Sequence, residues 1–462
     1  MNNRRLAATL SAAAVLATGC ATHPPGASGA LSSPSSVARP PVAATTTSSP
    51  APTPPPATQP TEPSRPDTSP STSAPELPSE IGWDGELRWN QVPLFTFPAS
   101  RHRLSFRVSE PIPDHASLSL RSQTGGPSTA ELDPETQLWS ATLAAPPAGV
   151  WDVEAQISSA GQTQTIATTH IPVATAGAAG ETLTISDRQP ALLATIPWGT
   201  NDTSVGLHSP SEGQTDAPSG IVHMPRTGEL VIVDRVNRRL LVTDALAQPV
   251  RAIALPIEGF VSDAAALPDG RVIVAEFRSA SGAAFALAHT VDVATGAVES
   301  SLPAAVPVLA DGVGLRYDDR TELVLAEFGD PYPFYDTRTG AFTPSGTPVD
   351  AWYGLVRAPN QAGIKSGPDY LAATFPLGPT VEGVELGTSA AWALVTGIGD
   401  GEQIHAWLVR YNLDGSSVTG VEVPLPRLWT AASPFAVRDR DVVLMVRTDS
   451  GLDLYSVDLP EP

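Results

Sequence analysis

The chain has 462 residues with 48 Pro and 37 Gly; 41% of it is hydrophobic and 16% charged. That is enough apolar material for a sizeable core and too many chain-turning residues for a mainly helical protein, which excludes wholesale disorder and argues against an all-α fold. A formal charge of −21 would repel polyphosphate and so argues against nucleic acid as a partner.

At the N-terminus, Arg4 and Arg5 precede an apolar run from Leu6 to Leu16. The run has the length of a signal-peptide core and is too short to span a bilayer. It ends in Leu16-Ala17-Thr18-Gly19-Cys20, which resembles a bacterial lipobox, with Ala17 standing where Leu is usual. The resemblance implies a signal peptide over 1–19, cleavage before Cys20, and diacylglyceryl and fatty acyl (palmitate-type) groups on that residue. Cys20 is the only cysteine. A free thiol would be a liability in an oxidising compartment, which favours the lipid anchor over an ordinary signal peptide with an incidental Cys. The expected location is the extracytoplasmic face of the cell membrane, the lipid bilayer being a partner through Cys20. No disulfide can form within the mature chain, and no disulfide-linked partner is expected.

From 20 to 80 the composition shifts to Pro, Ser, Thr and Ala, as in Thr45-Thr46-Thr47-Ser48-Ser49-Pro50, without an apolar period. Such a segment cannot bury enough surface to offset its ordering entropy, and it reads as a disordered tether.

Over 84–178, short segments of period two alternate with turn clusters such as Thr124-Gly125-Gly126-Pro127. Leu104, Phe106 and Val108 share one face of a strand, as do Trp151, Val153, Ala155 and Ile157 of another. Six or seven such strands resemble an immunoglobulin-like β-sandwich without its disulfide, Trp151 being a core aromatic. His102, His115 and His170 have no metal-ligand spacing and are expected on the surface.

Over 182–462, strand pairs end in a recurrent tail at Asp244, Asp292, Asp336, Asn412 and Asp458, spaced by 48, 44, 76 and 46 residues. Units of about 40 to 50 residues with four short strands each are the period of a β-propeller. The long gap holds either an aberrant blade near 346–377 or an insertion, giving six blades or, alternatively, five. The fold class expected for the whole chain is therefore all-β.

Pro218-Ser219-Gly220-Ile221-Val222, the strand ending in Asp234, and Asn237-Arg238-Arg239 together resemble an NHL repeat. Val274-Ala275-Glu276-Phe277 and Leu325-Ala326-Glu327-Phe328 keep only the second-strand ending, with Glu for Asp. Ala191 to Gly199 precedes the first repeat and reads as the outer strand of a last blade whose other strands lie near 433–460. That exchange would close the ring and remove its sheet edges.

The chain has no Gly-x-Ser-x-Gly elbow, HExxH or Cys cluster. Gly397-Ile398-Gly399-Asp400-Gly401 sits between two strand patterns and reads as a hairpin turn. Ligands of propellers usually sit at the channel mouth, where inner strands begin. Candidates there are Asp263, Asp311, Asp350 and Glu382, together with His223, Trp352 and Tyr353. Converging carboxylates suit a calcium ion, and capping or solvated acids are the alternative. Trp352 and Tyr353, with Trp392 and Trp429, offer either stacking faces for a glycan or peptide or packing between blades. The reading is a non-catalytic module binding a protein, peptide or glycan. Its rival is a lyase- or lactonase-like propeller enzyme with a channel metal, to which His208, His223, His289 and His405 are the available imidazoles.

Overall fold

Period-two alternation builds the first pair of layers. Leu87–Gln91, Arg101–Val108, Leu138–Ala144 and Glu131–Asp133 form one antiparallel sheet in that order; Ser128–Thr129, Ala116–Ser122, Gly149–Ser159 and Gln162–Val173 form the other. Leu104 and Phe106 from one sheet meet Leu118, Leu120, Val153 and Ile157 from the other in a shared core, with Trp151 fully buried at its centre. The computed structural model describes residues 81, 83–175, 179–209, 215–280, 283–301, 304–305, 314–318, 321–328, 330–342, 352–358, 360–366, 369–375, 378–387, 389–398, 403–427, 431–438 and 441–459. The signal peptide, Cys20 and the tether lie outside them. Every named element among the described residues is a strand.

The repeat region is a succession of small sheets, the arrangement of a β-propeller. Gly220–His223, Leu230–Asp234, Arg239–Thr243 and Pro249–Ala254 make the first sheet; Phe260–Ala266, Arg271–Ala280, Ala283–Asp292 and Val298–Ser300 run through the second. The third contains Gly314–Asp318, Leu323–Phe328, Asp330–Asp336 and Ala341–Phe342. Trp352–Ala358, Gln361–Ser366 and Asp369–Thr374 belong to the fourth, and Thr380–Leu386, Ala390–Ile398, Ile404–Asn412 and Val418–Val423 to the fifth. Phe435–Arg438, Asp441–Arg447 and Gly451–Asp458 belong to the sixth. The first strands of the first and second, second and third, fourth and fifth, and fifth and sixth sheets touch, as do those of the sixth and first, and Gly220 bridges to Ser433 just ahead of the sixth sheet. We therefore call the first strand of each sheet its inner strand.

Both faces of these sheets are covered, which explains why runs such as Leu230–Asp234 are apolar throughout rather than alternating. Val231, Val233 and Val242 pack toward Val261, Val272 and Val274 of the second sheet, while Ile232 and Leu241 pack toward Met445 and Leu454 of the sixth. The recurrent Asp tails have a local cause. Asp244, Asp292 and Asp336 each accept a backbone N–H two or three residues on, capping the turn that leads to the outer strand.

Three sheets borrow strands from the segment that precedes the first repeat. Ala191–Pro197 pairs antiparallel with Gly451–Asp458, completing the sixth sheet as the sequence anticipates. The ladder slips between Leu192 and Ala194, so the burial pattern shifts and Leu192 is 53% exposed, whereas Ala194 and Ile196 are buried. Ala179–Thr182 supplies a fourth, parallel strand to the fourth sheet, and Thr184–Ser186 a fifth, parallel strand to the fifth. The long gap in the repeat is thereby accounted for: it spans a sheet whose own sequence provides three strands and whose fourth comes from about 190 residues upstream. Ile398 pairs with Ile404 across two antiparallel neighbours, while residues 399–402 of the glycine-rich stretch lie outside the described residues.

Candidate functional site

The inner strands meet at a buried carboxyl. In Phe260–Ala266 the ladder slips between Val261 and Ala264, a bulge that re-aims Asp263. Ser433 Oγ donates to Asp263 Oδ2 at 2.5 Å, and the Leu315 N–H of the third sheet donates to the same oxygen at 2.9 Å. Oδ1 has no hydrogen-bond partner and lies against Gly220: a Cβ at that position would sit 2.0 Å from it. Glycine is required there because backbone and carboxyl share the space. Asp263 thus joins the first, second, third and sixth sheets. Its burial pushes the carboxyl up to about 7, against the opposing pull of the Ser433 and Leu315 bonds. Beyond it, Arg316 of the third inner strand, itself buried, lies 3.8 Å from Glu385 of the fifth. The chemistry available here is charge-pairing and proton uptake between strands.

The other candidates are dispersed. Asp311 and Asp350 lie outside the described residues. Trp352 and Tyr353 open the inner strand of the fourth sheet, and His223 ends that of the first opposite Leu230. Glu382 sits at a bulge in the fifth inner strand, is exposed, and accepts a 2.6 Å bond from Thr396 Oγ1. Among the described residues no three or more His, Cys, Asp or Glu side chains gather as a metal-sized group. Trp392 is a core residue between the fifth and sixth sheets. Trp429 lies outside the described residues.

Two buried acids tighten the sheets where the NHL-like signal begins. Asp234 is fully buried and accepts from Gly206 N, Asn237 Nδ2 and Arg239 Nε at 2.9, 2.8 and 2.9 Å. Arg239 in turn donates to the carbonyls of Thr200, Asn201 and Ser204. The Asp and Asn-x-Arg signals therefore fasten the first sheet to the loop that follows the closing strand. Glu276 plays this part in the second sheet, taking Glu258 N, Arg278 Nε and His289 Nε2 at 2.8, 2.7 and 2.7 Å. Burial would raise its carboxyl, but Arg278, Gly259 N and His289 outweigh that and hold it down to about 2. Glu327 lies in the corresponding strand of the third sheet.

A seam that no local sequence pattern marks joins the sandwich to the repeat region. Asp369 of the fourth sheet accepts from Phe97 N at 3.1 Å and Ser100 Oγ at 3.0 Å, and it faces His102 Nε2 at 3.1 Å. His102, expected on the surface, is 6% exposed; the same Nε2 lies 2.7 Å from Thr96 Oγ1. Ser366 Oγ accepts the N–H of Leu94 at 2.7 Å and donates to Phe95 O, while Leu94, Phe95 and Ala174 enter the apolar core of the fourth and fifth sheets. Arg88 pairs with Asp336 and Glu322 at the rim. No periodicity marks these residues, because each is polar or sits in a loop until its distant partner buries it.

No family model matches the chain, and no curated protein matches it. Among solved structures it is similar to a chain of a nidogen/laminin complex, at 10% identity over 69% of this chain and 99% of that one, with a TM-score of 0.23. It is also similar to a catalytically inactive virginiamycin B lyase from Staphylococcus aureus with quinupristin, at 11% identity over 74% and 99%, TM-score 0.22. A streptogramin B lyase matches at 11% identity over 81% and 98%, TM-score 0.21.

Proposed function

We propose that this protein is a lipid-anchored extracytoplasmic module in which the six sheets are the blades of one NHL-like propeller. It presents that propeller and an immunoglobulin-like sandwich as a single non-catalytic binding or scaffold surface for a protein, peptide or glycan. The observation that carries this reading is the seam: Asp369 and Ser366 take five hydrogen-bonding contacts from residues 94–102, and one apolar core continues across. A platform fixed in this way offers a broad, pre-organised face, which lowers the ordering cost of binding. Anchoring rests on the lipobox-like sequence, Cys20 being the sole thiol.

The rival, a lyase- or lactonase-like enzyme, requires carboxylates or imidazoles converging on a channel metal. Asp263 is engaged by Ser433 and Leu315, and Glu382 by Thr396, so each already has a partner of its own. The two readings separate in one preparation. Metal analysis of the purified mature chain tests the enzyme reading, which requires one ion per chain, and absence of a stoichiometric ion refutes it. Membrane fractionation checks the anchor: Cys20→Ala should release the protein from the membrane fraction, and retention there refutes anchoring.

A further inference from the structure

We propose that the cleft between the second and third sheets binds a neutral saccharide unit. The proposal rests on the reading of the repeat region as a binding module and uses none of the channel residues. The cavity holds about 370 Å³, within the range of small-molecule sites. Its position follows from the ladder: Ile273 faces Thr290 and Thr290 faces Glu299, so the three share one face of the second sheet. That face looks toward the third sheet, whose Tyr335 and Thr339 form the other wall, while Val272 and Val274 pack toward the first.

The lining selects the guest. Leu267 and Ile273 lie almost wholly buried beneath it, so the surface open to a guest is chiefly polar. Around it, Thr290 and Thr339 can both donate and accept, Glu299 accepts and Arg271 donates. The cation is already compensated, since Arg271 Nε bonds Asp269 Oδ2 at 2.7 Å. Arg338 at the rim is likewise paired with Glu86. An anionic guest would find no surplus positive charge in the cleft and a chain of net charge −21 around it. A guest with many hydroxyls and no charge satisfies donors and acceptors together.

Cellobiose and N,N′-diacetylchitobiose are the probes, read by saturation-transfer NMR and calorimetry on the mature chain, with citrate as the anionic control. At least one disaccharide should bind at millimolar concentration or below. Glu299→Ala, at an exposed position, and Thr290→Trp, which fills the cleft, should each weaken it tenfold or more, whereas Glu382→Gln should not change it. Melting curves establish that the variants are folded. Absence of binding by both sugars, unchanged binding in folded Glu299→Ala, or citrate binding more tightly than either sugar would overturn the proposal. The fractionation and metal measurements test the module reading separately, so its failure is distinguishable from failure of the cleft.

Discussion

Asp369 and His102 stand 267 residues apart in the chain, yet their side chains meet at 3.1 Å in a buried seam that fixes the sandwich to the fourth sheet. The carboxylate is the hub of this contact, also receiving Phe97 N and Ser100 Oγ. Removing it would leave the Phe97 N–H and Ser100 hydroxyl without this acceptor in a partly buried seam and leave His102 Nε2 with Thr96 Oγ1 alone.

Asp369→Ala should therefore destabilise the protein by about 3 kcal/mol, the scale of breaking a buried hydrogen-bonded pair. Burial alone would raise the Asp369 carboxyl; the His102 and Phe97 bonds prevail and hold it below its ordinary value. A depressed folded value means that the stabilisation is present above the unfolded pKa and is lost as pH falls through the folded one. Urea melts should show a shallower acid limb in Asp369→Asn than in wild type. Identical limbs would show that the seam contributes nothing to acid sensitivity.

Asp263 carries the opposite sign. Its folded carboxyl lies at about 7, above the unfolded value, so the folded state holds the extra proton and stability falls as pH rises from about 4 to about 7. Asp263→Asn should remove that slope and be relatively more stable at pH 8 than at pH 5, by up to a few kcal/mol. Denaturant melts at the two pH values check it. Ser433→Ala removes a donor that holds the carboxyl down, so it should extend the decline to higher pH without steepening it.

Asp234→Ala would leave the buried Arg239 with only the exposed Asp202 carboxylate, 3.6 Å away. A loss of about 3 kcal/mol is expected, the low end of the cost of breaking a buried pair, since the exposed Asp202 compensates the charge in part. The double variant Asp234→Ala with Arg239→Met should recover part of it, which an equilibrium double-mutant cycle measures. Additive losses would mean that the two residues act independently.

Deleting 183–199 removes Ala191–Pro197 from the sixth sheet and Thr184–Ser186 from the fifth, together with the 2.6 Å bond from Thr195 Oγ1 to Asp453. The exposed edge of Gly451–Asp458 should lower the melting temperature by many degrees and promote aggregation. Deleting 21–80 should leave the midpoint within about a degree, the outcome expected from a Pro/Ser/Thr-rich composition without an apolar period. Equal midpoints for the two deletions would show that the closing strand contributes no stability.

Local chemistry made much of this architecture legible from the chain alone. Apolar periodicity located the strands and the core position of Trp151, while recurring turn-capping Asp residues set the repeat. The apolar 191–197 segment, standing before the first repeat without partners of its own, announced the closure. Each signal depends on neighbours within a few residues, which is why one sequence sufficed. What the tertiary structure decided was the fate of edges and isolated polar groups. The parallel addition of 179–182 and 184–186, the register slip that exposes Leu192, and the burial of Asp263 and His102 all depend on partners more than 50 residues away. A strand's period reports which face is buried; it carries no label for the chain that covers its edge. A lone Asp or His has no period at all, so only the assembled sheets determine whether it meets water or a donor.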